Sequence, residues 1–197
     1  MDRERFEKQL AFILEVDQEK NILRQTHISN HGRRENDAEH AWHMAVMVYL
    51  LKEYANEEID LAKAMMMALI HDVVEIDAGD TYAYDEEGLS TQKEREERAA
   101  ERIFGLLPEE QKEELRTLFD EFETYATPEA RFARAMDNFQ PLLLNNSNNG
   151  GDWKMHEVCK TQIQKRHATT ERGSREISEY ANQIIEENVK KGNIINQ

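Results

Sequence analysis

The sequence predicts an all-α fold of about eight helices, and three observations carry that prediction. Apolar residues recur at three- and four-residue intervals along nearly the whole chain. No segment of convincing length alternates with the two-residue period of a half-buried strand. Punctuation is sparse, with three prolines and eight glycines in 197 residues, and Ala, Leu, Met, Glu, Lys and Arg, which favour helix, fill the long stretches between them.

Taken in order, Phe6, Leu10, Ile13 and Leu14 set an amphipathic helix over 5–16, which Ile22-Leu23-Arg24 either extends or follows as a short second one. The pattern is lost from Gln25 to Glu35, where His27, Asn30, His31 and Gly32 read as a loop. Asn36 is a candidate N-cap, with Glu39 three residues on to reach back as in a capping box. The helix it opens, to about Tyr54, is apolar on most faces (Ala41, Trp42, Met44 to Val48, Leu50, Leu51), which predicts a central helix.

Asp60 caps the next helix, which runs to about Ile76. Residues 77–88 are irregular and acidic, with a tight turn at Gly79-Asp80-Thr81. A charged amphipathic helix over 91–104 closes at Gly105, and Pro108 suits the first turn of another, to about Tyr125. Thr127-Pro128 repeats that start for a helix through Asp137 to Leu144. Asn145 to Gly151 reads as a loop, followed by helices over 153–169 and 174–191. No linker or repeat divides the chain, so one domain over 1–197 is expected.

Charge and cysteine usage narrow the function. A formal net charge of −15 repels nucleic-acid polymers and anionic membrane surfaces, whose binding rests on clustered Lys and Arg. Cys159 is the lone cysteine, so no intrachain disulfide can form and a reducing compartment is expected. The segment 1–9 is charged, and no apolar run approaches the roughly 18–20 residues of a membrane span. These features predict a cytoplasmic protein.

Three apolar helices each bring ligand-type side chains inward: His40, the pair His71-Asp72, and Asp137. Each alone has an ordinary explanation: a hydrogen-bonded core histidine, a helix C-terminus, and an ion pair with an Arg such as Arg134. Buried charge without a partner is costly, and two imidazoles with two carboxylates share one economical explanation. They would hold a divalent metal whose remaining positions take water and substrate. Other conspicuous residues have plainer readings: Met65-Met66-Met67 as adaptable core, Glu94 to Glu101 as a solvated helix face, and Arg33 and Arg34 as loop residues able to attract an anion. His43 reads as a packed or partly exposed imidazole. His156, Cys159 and His167 have the spacing of one helix but no completing ligand set.

The order His40, His71-Asp72, Asp137 resembles the H…HD…D signature of the HD superfamily of metal-dependent phosphohydrolases. The flanks, Glu35-Asn36-Asp37-Ala38-Glu39-His40-Ala41-Trp42 and Leu69 through Asp80, resemble its 5′-deoxynucleotidase branch over about 24–144. The resemblance implies an HD-domain helical bundle with that stretch as its metal-site core and the helices over 153–191 packed on it. It also implies one divalent metal ion (Mn, Co, Mg, Fe or Zn) held by His40, His71, Asp72 and Asp137. Glu75 matches the acidic residue implicated in catalysis, Asp80 a substrate-contacting residue beside Thr81, and Arg24 the arginine that orients the phosphate, with a one-residue difference in the loop between Arg24 and His40. Gln25 stands where relatives carry an aromatic that helps exclude ribose, so selectivity for 2′-deoxy substrates is left open. The implied reaction is hydrolysis of a (deoxy)nucleoside 5′-monophosphate by a homodimer. The rivals are phosphodiester or polyphosphate hydrolysis, and a non-catalytic nucleotide-binding or regulatory protein that keeps the metal.

Overall fold

The computed structural model describes Met1–Gln197, except for the side chain of Glu86. Its helices are α1 (Arg3–Val16), α2 (Asp37–Leu51), α3 (Leu61–Ile70), α4 (Glu75–Ala78), α5 (Glu86–Phe104), α6 (Glu109–Thr124), α7 (Pro128–Ser147), α8 (Gly151–Met155), α9 (Lys160–His167), α10 (Thr170–Gly173) and α11 (Arg175–Lys190). The all-α class holds, with more and shorter helices than the eight expected. Among the described residues no helix is long and apolar enough to cross a membrane.

The segment read as a loop is instead a hairpin. Strands β1 (Leu23–His27) and β2 (Arg34–Asn36) pair antiparallel, Leu23 facing Asn36 and His27 facing Arg34, with an irregularity between. Strands of five and three residues are too short for a two-residue period to stand out, and the irregularity breaks what period there is. The capping box at α2 forms as expected: the Glu39 N–H donates to Asn36 Oδ1 (2.9 Å) and the Asn36 N–H to Glu39 Oε2 (3.2 Å). Asp60 and Thr127 cap α3 and α7 through the Lys63 and Ala130 amides.

Helix α3 packs against α2, α6 and α7. Met44, Val48, Met67, Ala68, Phe132 and Met136 lie in one buried cluster. A second joins Ile70, Val73 and Val74 to Ala100, Ile103 and Phe104 of α5 and Phe12 of α1. Two helices depart from expectation on their outer faces. Helix α2 is not covered all round, since Trp42 and Leu50 are each 62% exposed and Val46 and Tyr49 are also open. Helix α1 turns Phe6, Leu10, Ile13 and Leu14 outward and buries only Phe12, which stacks on Phe104. Hydrophobic periodicity identifies a helix, not what covers it.

Three boundaries also differ. The helix expected to reach Ile76 stops at Ile70, and three-residue bonds (Val73 N–H to Ile70 O, Ile76 N–H to Val73 O) tighten the chain before α4. Helix α7 continues to Ser147, past Pro141 and into the expected loop; the turn follows at Asn149 and Gly150, both at positive φ. The stretch 153–169 breaks into the end of α8 and α9, with a turn between them, so His156, Cys159 and His167 do not share a helix.

Candidate metal centre

The break after Ile70 aims the chemistry. The His71 Nδ1–H donates to the Ala68 carbonyl (3.0 Å), which leaves Nε2 to face inward with its lone pair. From α2, His40 Nε2 arrives 3.8 Å from Asp72 Oδ2 and 3.2 Å from Asp137 Oδ1. His71 Nε2 lies 3.1 Å from Asp72 Oδ2 and 3.8 Å from Asp137 Oδ1. The donor atoms of His40, His71 and Asp72, from α2 and the α3–α4 turn, thus form one group of metal-holding size, and Asp137 Oδ1 reaches both imidazoles from α7. Donors about 2.1 Å from a common ion stand roughly 3.0–3.4 Å apart, close to the spacings observed. His71 Nε2 is buried and has no hydrogen-bond partner among the described residues. An orphaned imidazole nitrogen facing two carboxylates fits a divalent cation.

The surrounding charges divide the labour of each carboxylate. Asp137 turns Oδ2 to Arg134 (3.0 Å) and Arg166 (3.1 Å), leaving Oδ1 to the imidazoles. Burial opposes its ionisation, but Arg166, the imidazoles and Arg134 hold the carboxyl well below the usual range. Asp72 is held down likewise, by His71 and by Arg24, whose Nη1 lies 2.7 Å from Oδ2. Burial also lowers both histidines. For His71 the Asp72 and Asp137 charges outweigh it and push the imidazole up to about 10, whereas Arg24 joins burial in holding His40 down to about 4. Without a cation the site thus holds two ionised carboxylates, a neutral His40 and a protonated His71, and a divalent ion would take the place of the His71 proton between the carboxylates.

Glu75 opens α4 beside this set. It is 6% exposed, and its Oε2 has no partner. Burial and the Asp72 charge push its carboxyl well above the usual range, against the pull of Arg24. The turn after α4 needs Gly79, whose φ of +76° and ψ of 146° exclude a side chain in practice. Asp80 and Thr81 follow it on the wall of a cleft of about 1060 Å³, open mouth included, that also exposes Arg24, Gln25, His71 and Asp137. The Thr81 hydroxyl accepts from Arg95 Nη2 (2.7 Å), which pins the turn to α5. All nine residues singled out in the sequence fall at this centre, although His40 lies wholly beneath the cleft floor. Arg24 arrives already paired to Asp72 and, at 3.4 Å, to Asp37.

The match to known proteins agrees with this geometry. The family model described as "HD domain" matches residues 16–178. The chain belongs to the HD domain family. A solved structure titled a predicted metal-dependent phosphohydrolase from Magnetospirillum magnetotacticum is 46% identical with a TM-score of 0.92, covering 96% of this chain and 95% of that one. A conserved hypothetical protein from Pyrococcus furiosus is 26% identical with a TM-score of 0.61 over 92% of this chain and 99% of that one. The Homo sapiens protein named 5′-deoxynucleotidase HDDC2 is 32% identical over 135 residues, 68% of this chain and 65% of that protein. The chain thus spans just under two thirds of that curated relative.

Several residues of this HD domain escaped the sequence reading. Asp37, taken as part of a helix start, is fully buried beside Arg24, and burial with the Asp72 charge pushes it up to about 7. Glu35 accepts from Gln140 Nε2 (2.7 Å) and sits 3.7 Å from His40 Nδ1. Glu96 corrects the expectation of a solvated face. With Gln92, which donates to it (2.5 Å), it lines the cleft, and burial pushes it up to about 7. Arg166 lies 29 residues from Asp137 with no local signal to join them.

Proposed function

We propose that this chain is a metal-dependent phosphomonoesterase that hydrolyses (deoxy)nucleoside 5′-monophosphates to nucleoside and phosphate. The observation that carries the reading is the grouping of His40 Nε2, His71 Nε2 and Asp72 Oδ2, with Asp137 Oδ1 3.2 and 3.8 Å from the two imidazoles. These residues would hold one divalent ion, with Mn, Co, Mg, Fe and Zn all compatible with the donor set. When bound, the ion would supply Lewis-acid polarisation of the phosphate and of a water whose pKa falls from about 15.7 towards 7. The names of the relatives support the family of reactions, and the substrate is this reading's own commitment.

The chain's side chains supply the rest. Arg24 would orient the phosphate; its buried Nε lies 4.0 Å from Glu35 Oε2 and makes no hydrogen bond among the described residues. Arg166, about one third exposed, adds a second positive charge on the cleft wall. In the hydrolysis one P–O bond forms to water and the P–O5′ bond breaks. Glu75, whose carboxyl burial and Asp72 push well above the usual range, would donate its proton to the departing O5′ and be recharged from the attacking water. Asp80 and Thr81 would contact the nucleoside. Gln25, on the same wall, would face the sugar with a carboxamide that tolerates a 2′-hydroxyl.

The chain acts in this reading as one domain over 1–197, in the cytoplasm and as a homodimer. The dimer reading rests on the exposed apolar residues Trp42, Val46, Tyr49 and Leu50 of α2 and Phe6, Leu10, Ile13 and Leu14 of α1.

The test is a substrate panel on metal-stripped protein with each ion restored: ribo- and 2′-deoxy 5′-monophosphates, phosphodiesters and triphosphates. Phosphate from the monophosphates alone is the expected result. Turnover of diesters or triphosphates in preference, or tight nucleotide binding without turnover, would overturn the reading.

A further inference from the structure

A second group of metal-ligand side chains lies apart from the four ligands described above, where the hairpin meets α8, with Asp152 on the wall of the same cleft. His27 ends β1, His31 sits in the hairpin loop, and Asp152 lies in the first turn of α8. Asp152 is 4% exposed, and among the described residues no Lys or Arg pairs with it. Its Oδ2 accepts the His27 backbone N–H (2.9 Å). Its Oδ1 receives both imidazoles, with His27 Nδ1 at 2.6 Å and His31 Nε2 at 3.4 Å. A buried carboxylate needs a positive partner, and here two ring nitrogens converge on one oxygen.

The two rings stack, with centroids 4.3 Å apart and planes 18° from parallel. Stacked in this way, the two rings turn His27 Nδ1 and His31 Nε2 toward the same Asp152 oxygen. The backbone is shaped for this arrangement. His31 adopts φ +56°, a left-handed conformation uncommon for a side chain of its kind, and so swings its ring over Gly151. A Cβ at position 151 would stand 2.5 Å from His31 Nε2. Glycine leaves that space open.

We propose that His27, His31 and Asp152 form a second divalent-metal site, selective for a borderline ion such as Zn²⁺. Two imidazoles and one carboxylate suit zinc better than magnesium or calcium, which prefer all-oxygen sites. The ion would take His27 Nδ1, His31 Nε2 and Asp152 Oδ1, with water completing its coordination. Its seat is structural. It would staple the hairpin, which carries Arg24, Gln25 and Thr26 on the cleft wall, to α8, which carries Trp153 on the same wall. No step of the hydrolysis passes through it, and the inference stands whether or not the phosphomonoesterase reading does.

The test counts zinc. Untagged, metal-stripped full-length protein is dialysed against Zn²⁺ and the bound ion measured by elemental analysis. The wild type is expected to hold two per chain. His31→Asn, chosen because asparagine tolerates positive φ, should hold one, and Gly151→Ala, which fills the space at Nε2, should also hold one. Asp72→Ala should lose the other ion, and the double variant with His31→Asn should hold none. Thermal melts identify any variant that fails to fold, and His31→Asn and Gly151→Ala check one another. A zinc count unchanged by both His31→Asn and Gly151→Ala in folded protein would overturn the proposal.

Discussion

Replacing Glu75 by Gln separates the chemistry of this residue from its structural role. Its carboxyl is 6% exposed and stands among Asp72, Asp37 and Asp80, with burial and the Asp72 charge pushing its pKa well up. Burial and the Asp72 charge thus favour the neutral acid, with which glutamine is nearly isosteric. Stability should change by no more than about 1 kcal/mol, as for a substitution that leaves neither a cavity nor an unpaired charge. Turnover should fall about 10²- to 10⁴-fold, the usual worth of a positioned general acid, or roughly 2.7–5.4 kcal/mol on the barrier. Phosphate release from a nucleoside 5′-monophosphate, measured at saturating metal beside a thermal melt and a metal count, reads all three quantities. Near-wild-type turnover with metal bound would refute the general-acid assignment. A loss of several kcal/mol in stability would refute the protonated state instead.

Four further outcomes follow from the same structure. Glu19, 3% exposed, is pushed from 4.5 up to about 8 by burial and the Asp72 charge, so the folded state holds a proton that the unfolded chain releases. Stability should therefore fall as pH rises between those values, on the order of a few kcal/mol, and Glu19→Gln should flatten that slope in pH-dependent melts; an unchanged slope would count against it. Met67→Ala empties a fully buried position in α3 and should cost about 2–5 kcal/mol in denaturant titration. Trp42→Asp places a charge on the open face of α2 and should abolish the proposed dimer in sedimentation with the fold retained; a wild type that sediments as a monomer would count against the dimer itself. Gln25→Trp should raise the deoxy-to-ribo ratio of kcat/KM, and an unchanged ratio would remove Gln25 from the sugar site.

What the sequence made legible is what local chemistry enforces. Caps announce themselves through residue type and spacing, so Asn36, Asp60 and Thr127 were readable and form as expected. His40, His71, Asp72 and Asp137 were readable because a charged side chain in an apolar helix demands a partner. Asp37 and Glu35 hid inside a polar helix start where carboxylates need no explanation, and only the arrival of Arg24 and Gln140 gives them one. Glu96 hid for the same reason in a charged helix whose inner face meets the cleft. The outward face of α2 was misread because an all-round apolar helix has the same sequence whether it is covered by its own chain or by another. His27 and His31 lie four residues apart in a segment without period, and their shared partner Asp152 is 125 residues from His27. No local pattern could have joined them.

The central claim is that His40, His71, Asp72 and Asp137 form a metal centre that hydrolyses phosphomonoesters. Its most direct test is phosphate release from 2′-deoxynucleoside 5′-monophosphates by wild type and Asp72→Ala, each stripped and then titrated with Mn²⁺, Co²⁺, Mg²⁺, Fe²⁺ and Zn²⁺. The account predicts no release by the stripped wild type, recovery with at least one ion, and no recovery with any ion in Asp72→Ala. Full activity of the stripped protein, or equal recovery in folded Asp72→Ala, would contradict it.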